Sequence, residues 1–136
     1  MTTTFDFGAG PVPARQHPHG GGWVADTARV ADTAFVGPDA MVFGKAQVSG
    51  EARVSGEAQV FGNAMVFGDA KVSGNAWISG NAQVSGKARV SGNAMVFGDA
   101  KVFGNAWVSD RAQVFGDAKV FGDAKVFGEV WSRVRW

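Results

Sequence analysis

From Val24 to Val126 an aliphatic residue returns at every sixth position without insertion or deletion, Val in each place except Ile78. An Ala stands two residues before each of these from Ala28 to Ala124; the aliphatic residue is usually followed by Phe or Ser, then Gly, then Asn, Asp, Glu or Lys. The unit is A-x-V-(F/S)-G-(N/D/E/K). Within it, x, V and F/S read as a three-residue strand whose side chains alternate, V to one side and its neighbours to the other. Gly followed by Asn or Asp supplies a corner, because these residues accept positive φ at little cost. Ala is small enough for the inside of that corner. An amphipathic helix is excluded, since each recurring Gly would cost ~1 kcal/mol relative to Ala.

A three-residue strand and a corner bury nothing alone, so successive turns must stack. Three such sides make a coil of 18 residues, and the eighteen units from Val24 to Val126 make six coils, each rising about 4.8 Å. The motif resembles the hexapeptide repeat of left-handed parallel β-helix proteins, best known from acyltransferases. That resemblance implies an all-β fold, a left-handed parallel β-helix in the form of a triangular prism, with Val on the inner walls and Ala at the inner corners.

Departures from the unit sit mainly at its ends. Asp26, Asp32 and Pro38 replace the corner Gly in the first coil, and Asp110-Arg111 replaces Gly-Asn in the fifth. An open coil end exposes unpaired backbone and apolar interior and needs a cover. The expected organisation is therefore an N-terminal arm and cap over residues 1–21, the β-helix over 22–129 and a C-terminal cap over 130–136.

With a period of 18, side chains stack in columns. One outward face carries Trp23, Met41, Gln59, Trp77, Met95, Gln113 and Trp131, with Ala25, Phe43, Phe61, Ser79, Phe97, Phe115 and Arg133 beside them. Its apolar members, Trp23, Met41, Phe43, Phe61, Trp77, Met95, Phe97, Phe115 and Trp131, form the candidate oligomer or partner interface. A wall of that height exceeds the apolar patch a monomer ordinarily exposes, and it is rich in residue types that interfaces prefer. The bland alternative is a stack of aromatics that only shields and stiffens the coil. The second face (Arg29, Gln47, Met65, Gln83, Lys101, Lys119) is mixed, and the third (Phe35, Arg53, Lys71, Arg89, Trp107, Lys125) is the wettest. Face one packing on face two of the next copy is a heterologous contact that closes as a trimer, which the family resemblance also implies.

Composition follows from the repeat: 20 Gly, 21 Ala and 20 Val among 136 residues, with no Leu and no Cys. The lack of Cys excludes a disulfide framework and thiolate chemistry. Thirteen basic and twelve acidic residues leave a net charge of +1, giving no bulk attraction for nucleic acid or an anionic membrane. Acidic corners two positions before basic strand residues, as in Asp69 and Lys71 or Asp99 and Lys101, suggest local neutralisation. Asn63 over Asn81 and Asn75 over Asn93 are expected to form amide ladders. The start, MTTTFDFGAG, lacks the n- and h-regions of a signal peptide, and no stretch approaches the ~18 apolar residues of a membrane span; cytoplasmic synthesis and no membrane partner are expected.

Acyltransferases with this repeat use a histidine as general base near a subunit junction, with coenzyme A along the coils, but here the coils contain no His. The γ-class carbonic anhydrases also resemble this fold, and their three-His zinc pattern is missing too. The two histidines, His17 and His19, lie in the leader. Pro18-His19-Gly20-Gly21-Gly22-Trp23 looks like the copper-binding octarepeat segment of prion proteins, in which unhindered Gly amides wrap a square-planar ion. His17-Pro18-His19 from three chains also resembles the HxH metal sites of phage spike tips. The remaining reading is a flexible Gly hinge with Trp23 as a lid.

The expectation is a non-catalytic structural or assembly protein, a homotrimer docked on a larger complex through its arm by strand addition, such as a virion component. It is similar both to acyltransferase-like hexapeptide-repeat proteins and to β-helical parts of phage particles. The alternative is an acyltransferase-like enzyme acting at a subunit interface through His17 or His19. A flat-faced binder of ice or glycan is the third reading, supported only by the Ser column of face three. No cofactor is expected beyond a transition metal at the leader histidines.

Overall fold

The computed structural model describes residues 3–8, 10–128 and 131–132, with side chains described up to Val126. Among them there is no helix, hence none long and apolar enough to cross a membrane. The chain is a parallel β-solenoid of about six turns. Its short strands fall into three sheets of nine, six and six members, and within the coils each strand pairs in parallel with the strands 18 residues away.

The hexad produces this pairing directly. The x and V positions form the ladder, with Met41 beside Gln59 and Val42 beside Val60. A unit of the regular coils sends three backbone N–H groups to carbonyls 17 residues on: Met41 to Ala58, Phe43 to Val60 and Lys45 to Gly62, at 3.0, 3.0 and 2.8 Å. Between them, the V and A columns from Ala34 to Val120 form one continuous buried core. Burying each Val contributes about 1.5–3 kcal/mol, and the corner Ala leaves no room for more.

The first coil lacks corner glycines and solves the problem differently. In later coils the residue after Gly donates its backbone N–H to the coil that follows, as Lys45 does to Gly62 and Glu51 to Gly68. In the first coil the hydroxyls of Thr27 and Thr33 donate instead to the carbonyls of Gly44 and Gly50. In the fifth coil Asp110 takes the place of Gly and also its conformation, with φ of 60°.

The N-terminal segment is folded back on the solenoid. Strands β1 (Thr4–Asp6) and β2 (Pro11–Gln16) form an antiparallel hairpin, and β2 pairs antiparallel with β3 (Trp23–Ala25), the first strand of the coils. The hairpin therefore extends the first sheet, and β1 is its terminal strand. Arg15 forms an ion pair with Asp26 at 3.5 Å across this junction.

Two expectations are corrected here. The glycine run is a packed cover and not a hinge: Gly22 N–H bonds the Val36 carbonyl and Val36 N–H bonds the His19 carbonyl, both at 3.0 Å. A Cβ on Gly20 would lie 2.2 Å from the Val36 carbonyl oxygen, so the segment runs too close for any side chain. At the far end, Trp131 pairs with Val114 and Ser132 with Phe115. Trp131 thus takes the register of the inward V column and not the Gln113 register of the first outward column. The cause lies in the sequence, where Val130 occupies an Ala place and the six-residue period stops. Of the expected C-terminal cap, residues 130 and 133–136 lie outside the described residues.

Candidate functional site

The expected apolar wall on the first sheet exists as a set of stacked rings. Phe43 lies over Phe61 with centroids 4.9 Å apart, and Phe97 over Phe115 at 5.1 Å, the rings of each pair nearly parallel. Ser79 interrupts this column, and there Trp77 meets the edge of Phe61 at 5.9 Å. The column also lacks a ring at Ala25, and the arm supplies one: Phe7 stacks on Phe43 at 4.9 Å while Phe5 stacks on Trp23 at 4.7 Å. The rings shield one another. Trp23, Met41, Phe43, Phe61, Met95, Phe97 and Phe115 are half-buried, while Trp77 keeps 43% of its surface exposed. The arm thus occupies the N-terminal end of the wall, and Trp77, Met95, Phe97 and Phe115 form its uncovered part.

The second sheet carries a shorter stack, Phe103 on Phe121 at 5.4 Å, with Phe121 exposed. The third sheet differs in kind. Its x column runs Phe35, Arg53, Lys71, Arg89, Trp107, Lys125 in unbroken register. Trp107 is 42% exposed, with the Arg89 guanidinium and the Lys125 ammonium each 5.2 Å from its ring centroid. At the N-terminal end of this sheet His19, Thr33, Phe35, Glu51, Arg53, Asp69 and Lys71 line a half-open groove of about 640 Å3.

The expected neutralisation of corner acids by nearby bases is not made by contact. Among the described residues the ion pair within 4 Å is Arg15 with Asp26, so Asp69 and Lys71 do not join. They lie on opposite sides of a corner Ala, Asp69 in the turn and Lys71 on the sheet. Corner polar groups bond instead along their columns: Asn75 to Asn93 at 3.2 Å as expected, and Asn81 to Asp99 at 3.2 Å on the far side from Asn63.

His17 and His19 have different surroundings. His17 is 3% exposed, and its ring joins two stretches of backbone. Nε2 lies 3.0 Å from the Ala31 carbonyl oxygen, and Nδ1 lies 3.1 Å from the His19 nitrogen and 3.2 Å from the His19 carbonyl oxygen. A metal at His17 would have to displace one of these bonds. His19 is exposed at the groove, with its ring centroid 6.1 Å from that of His17. Among the described residues no three His, Cys, Asp or Glu side chains are grouped to hold a metal ion.

The comparison with known families agrees with the coil geometry. A family model described as YdcK Beta solenoid repeat matches residues 58–71 and 88–102, both within the coils. The chain is a β-helix repeat protein. No curated protein matches it. The two matched stretches lie within the regular coils; the arm and the exposed Trp77 and Trp107 lie outside them, and of the groove they include Asp69 and Lys71.

Proposed function

We propose that this β-helix repeat protein is a non-catalytic assembly module whose first sheet packs on the second sheet of a neighbouring copy, closing a homotrimer. In this reading the coils wind as a left-handed triangular prism of the hexapeptide-repeat kind. The uninterrupted A-x-V-(F/S)-G-(N/D/E/K) unit and its three parallel sheets support that form.

One observation carries the assembly reading: the aromatic ladder of the first sheet ends in an uncovered stretch around Trp77, Met95, Phe97 and Phe115. Stacking within a column hides the faces of the rings from water but leaves their outer edges and the Trp77 indole wet. A second apolar surface removes that cost, and the Phe103–Phe121 stack on the second sheet offers one. Contact between two different faces is heterologous, and three rigid prisms can close it into a ring. The third sheet, with its charged column, then faces outward. At one end of each prism the outer side of β1 offers a strand edge through which the trimer docks on a larger assembly, such as a virus particle, by strand addition.

The test is the oligomeric mass of surface variants. Trp77→Arg on the first sheet and Phe121→Arg on the second are each expected to dissociate the assembly to single chains, since each buries an unpaired charge in the contact. Trp107→Arg on the third sheet should leave it assembled. Dissociation by Trp107→Arg alone, or by neither of the others, contradicts the proposed faces.

A further inference from the structure

The outward column of the third sheet has a composition that neither the fold nor self-assembly requires. We propose that this column binds an acidic polysaccharide, a chain of uronic acid residues lying along the solenoid axis. The inference goes beyond the assembly reading and holds for a single chain as well as for a trimer.

The first observation is Trp107. An exposed indole on the most polar sheet buries little, and the other coils place Arg, Lys or Phe at the same position, so the core does not demand it. Arg89 and Lys125 flank it at 5.2 Å and hold the side chain within a line of cations. The second observation is the groove at the other end of the same column, where Phe35 supplies a second aromatic surface beside Arg53 and Lys71. Across that groove Glu51 and Asp69 form a parallel acidic column. Among the described residues none of these four charges is within 4 Å of an opposite one. Two columns of opposite sign therefore run side by side without being consumed by each other.

A uronic acid chain matches this arrangement group by group. Each ring carries a carboxylate, for which Arg53, Lys71 and Arg89 provide charge-assisted donors. Each ring also carries hydroxyls that donate to Glu51 and Asp69, with the Ser column beside the cations accepting or donating as needed. The C–H face of a pyranose is apolar and can rest on the Phe35 ring or against the exposed edge of Trp107, whose ring carries Arg89 and Lys125 over it. Successive cations are separated by the coil rise of about 4.8 Å, comparable to the length of one pyranose unit, so a chain lying along the axis passes the cations in turn and presents its sheet-facing carboxylates to them. A DNA single strand fits less well, since its deoxyribose backbone offers Glu51 and Asp69 no row of hydroxyl donors.

The test is calorimetric titration of the full chain at low salt with a hexamer of galacturonic acid, alongside a neutral glucose hexamer and an oligothymidylate of equal length. Saturable binding of the galacturonate hexamer is expected, together with its weakening on added salt. Arg53→Gln and Trp107→Ala are each expected to weaken it by roughly tenfold, the loss of one charge-assisted contact or of the apolar edge that also holds Arg89 and Lys125 in line. Trp77→Ala, on the first sheet, should leave it unchanged. All three changes are at exposed positions, and unaltered thermal melting confirms that each variant keeps the coils. The proposal is overturned by absence of saturable binding, by equal affinity for the neutral hexamer, by tighter binding of the oligothymidylate, or by indifference to both third-sheet variants. Oligomeric mass is read separately, so a failed trimer and a failed glycan site give different results.

Discussion

At the scale of single residues the solenoid is a problem of corners. Gly80 shows why most corners need glycine: its φ is +64°, and a Cβ there would lie 2.8 Å from the backbone nitrogen of Gly98 in the next coil. Asp110 holds the same kind of conformation with a side chain attached, at a cost of about 1–2 kcal/mol for an L-residue. Asp110→Gly is therefore expected to raise resistance to urea by about 1 kcal/mol, and Gly80→Ala to lower it by more than that. If Asp110→Gly is neutral, the corner is not strained. The glycine columns were legible in the sequence because glycine's effect is local. The Thr27 and Thr33 bonds were not, since their acceptors lie 17 residues away and only the missing glycines of the first coil marked the place. Thr27→Val removes a donor to the Gly44 carbonyl and should cost about 1 kcal/mol in the same measurement.

At the scale of elements the arm is the part that the repeat could not foretell. Asp6 folds the hairpin by accepting the N–H groups of Gly8 and Gly10 at 2.7 and 3.1 Å, and His17 fastens the following segment to the Ala31 carbonyl. Phe5 and Phe7 then complete the aromatic column where Ala25 leaves it short. In the sequence these two rings stand outside the six-residue period, so nothing assigned them a column; the one trace was the small Ala25 in a column that otherwise favours Phe. Phe7→Ala removes a stacking contact of about 0.5–1.5 kcal/mol beyond its burial. Amide hydrogen exchange should then quicken over residues 4–16, while the central coils around Ile78 keep their protection. Equal loosening of both regions would contradict a separately docked arm. The same element explains why the expected hinge is a cover: Gly20 and Gly22 are small because the Val36 backbone passes beneath them.

At the scale of the whole molecule, the uniform period made the core readable to the residue, from Ala34 to Val120. Where the period stops, at Val130, the reading stopped with it, and the register of Trp131 followed the inward column. The outer surface was legible as composition but not as geometry. Columns gave the correct neighbours, yet whether Asp69 reached Lys71, or Trp77 leaned on Phe61, depended on side-chain directions that spacing alone does not carry. The three sheets that result differ in chemistry, one apolar and stacked, one mixed, one charged with an exposed Trp, and that difference underlies the proposed division between self-assembly and an outward binding face. Sedimentation equilibrium of the unmodified chain at micromolar concentration tests this most directly. A species of three times the chain mass is expected, and a single species at the mass of one chain would overturn the proposed trimer.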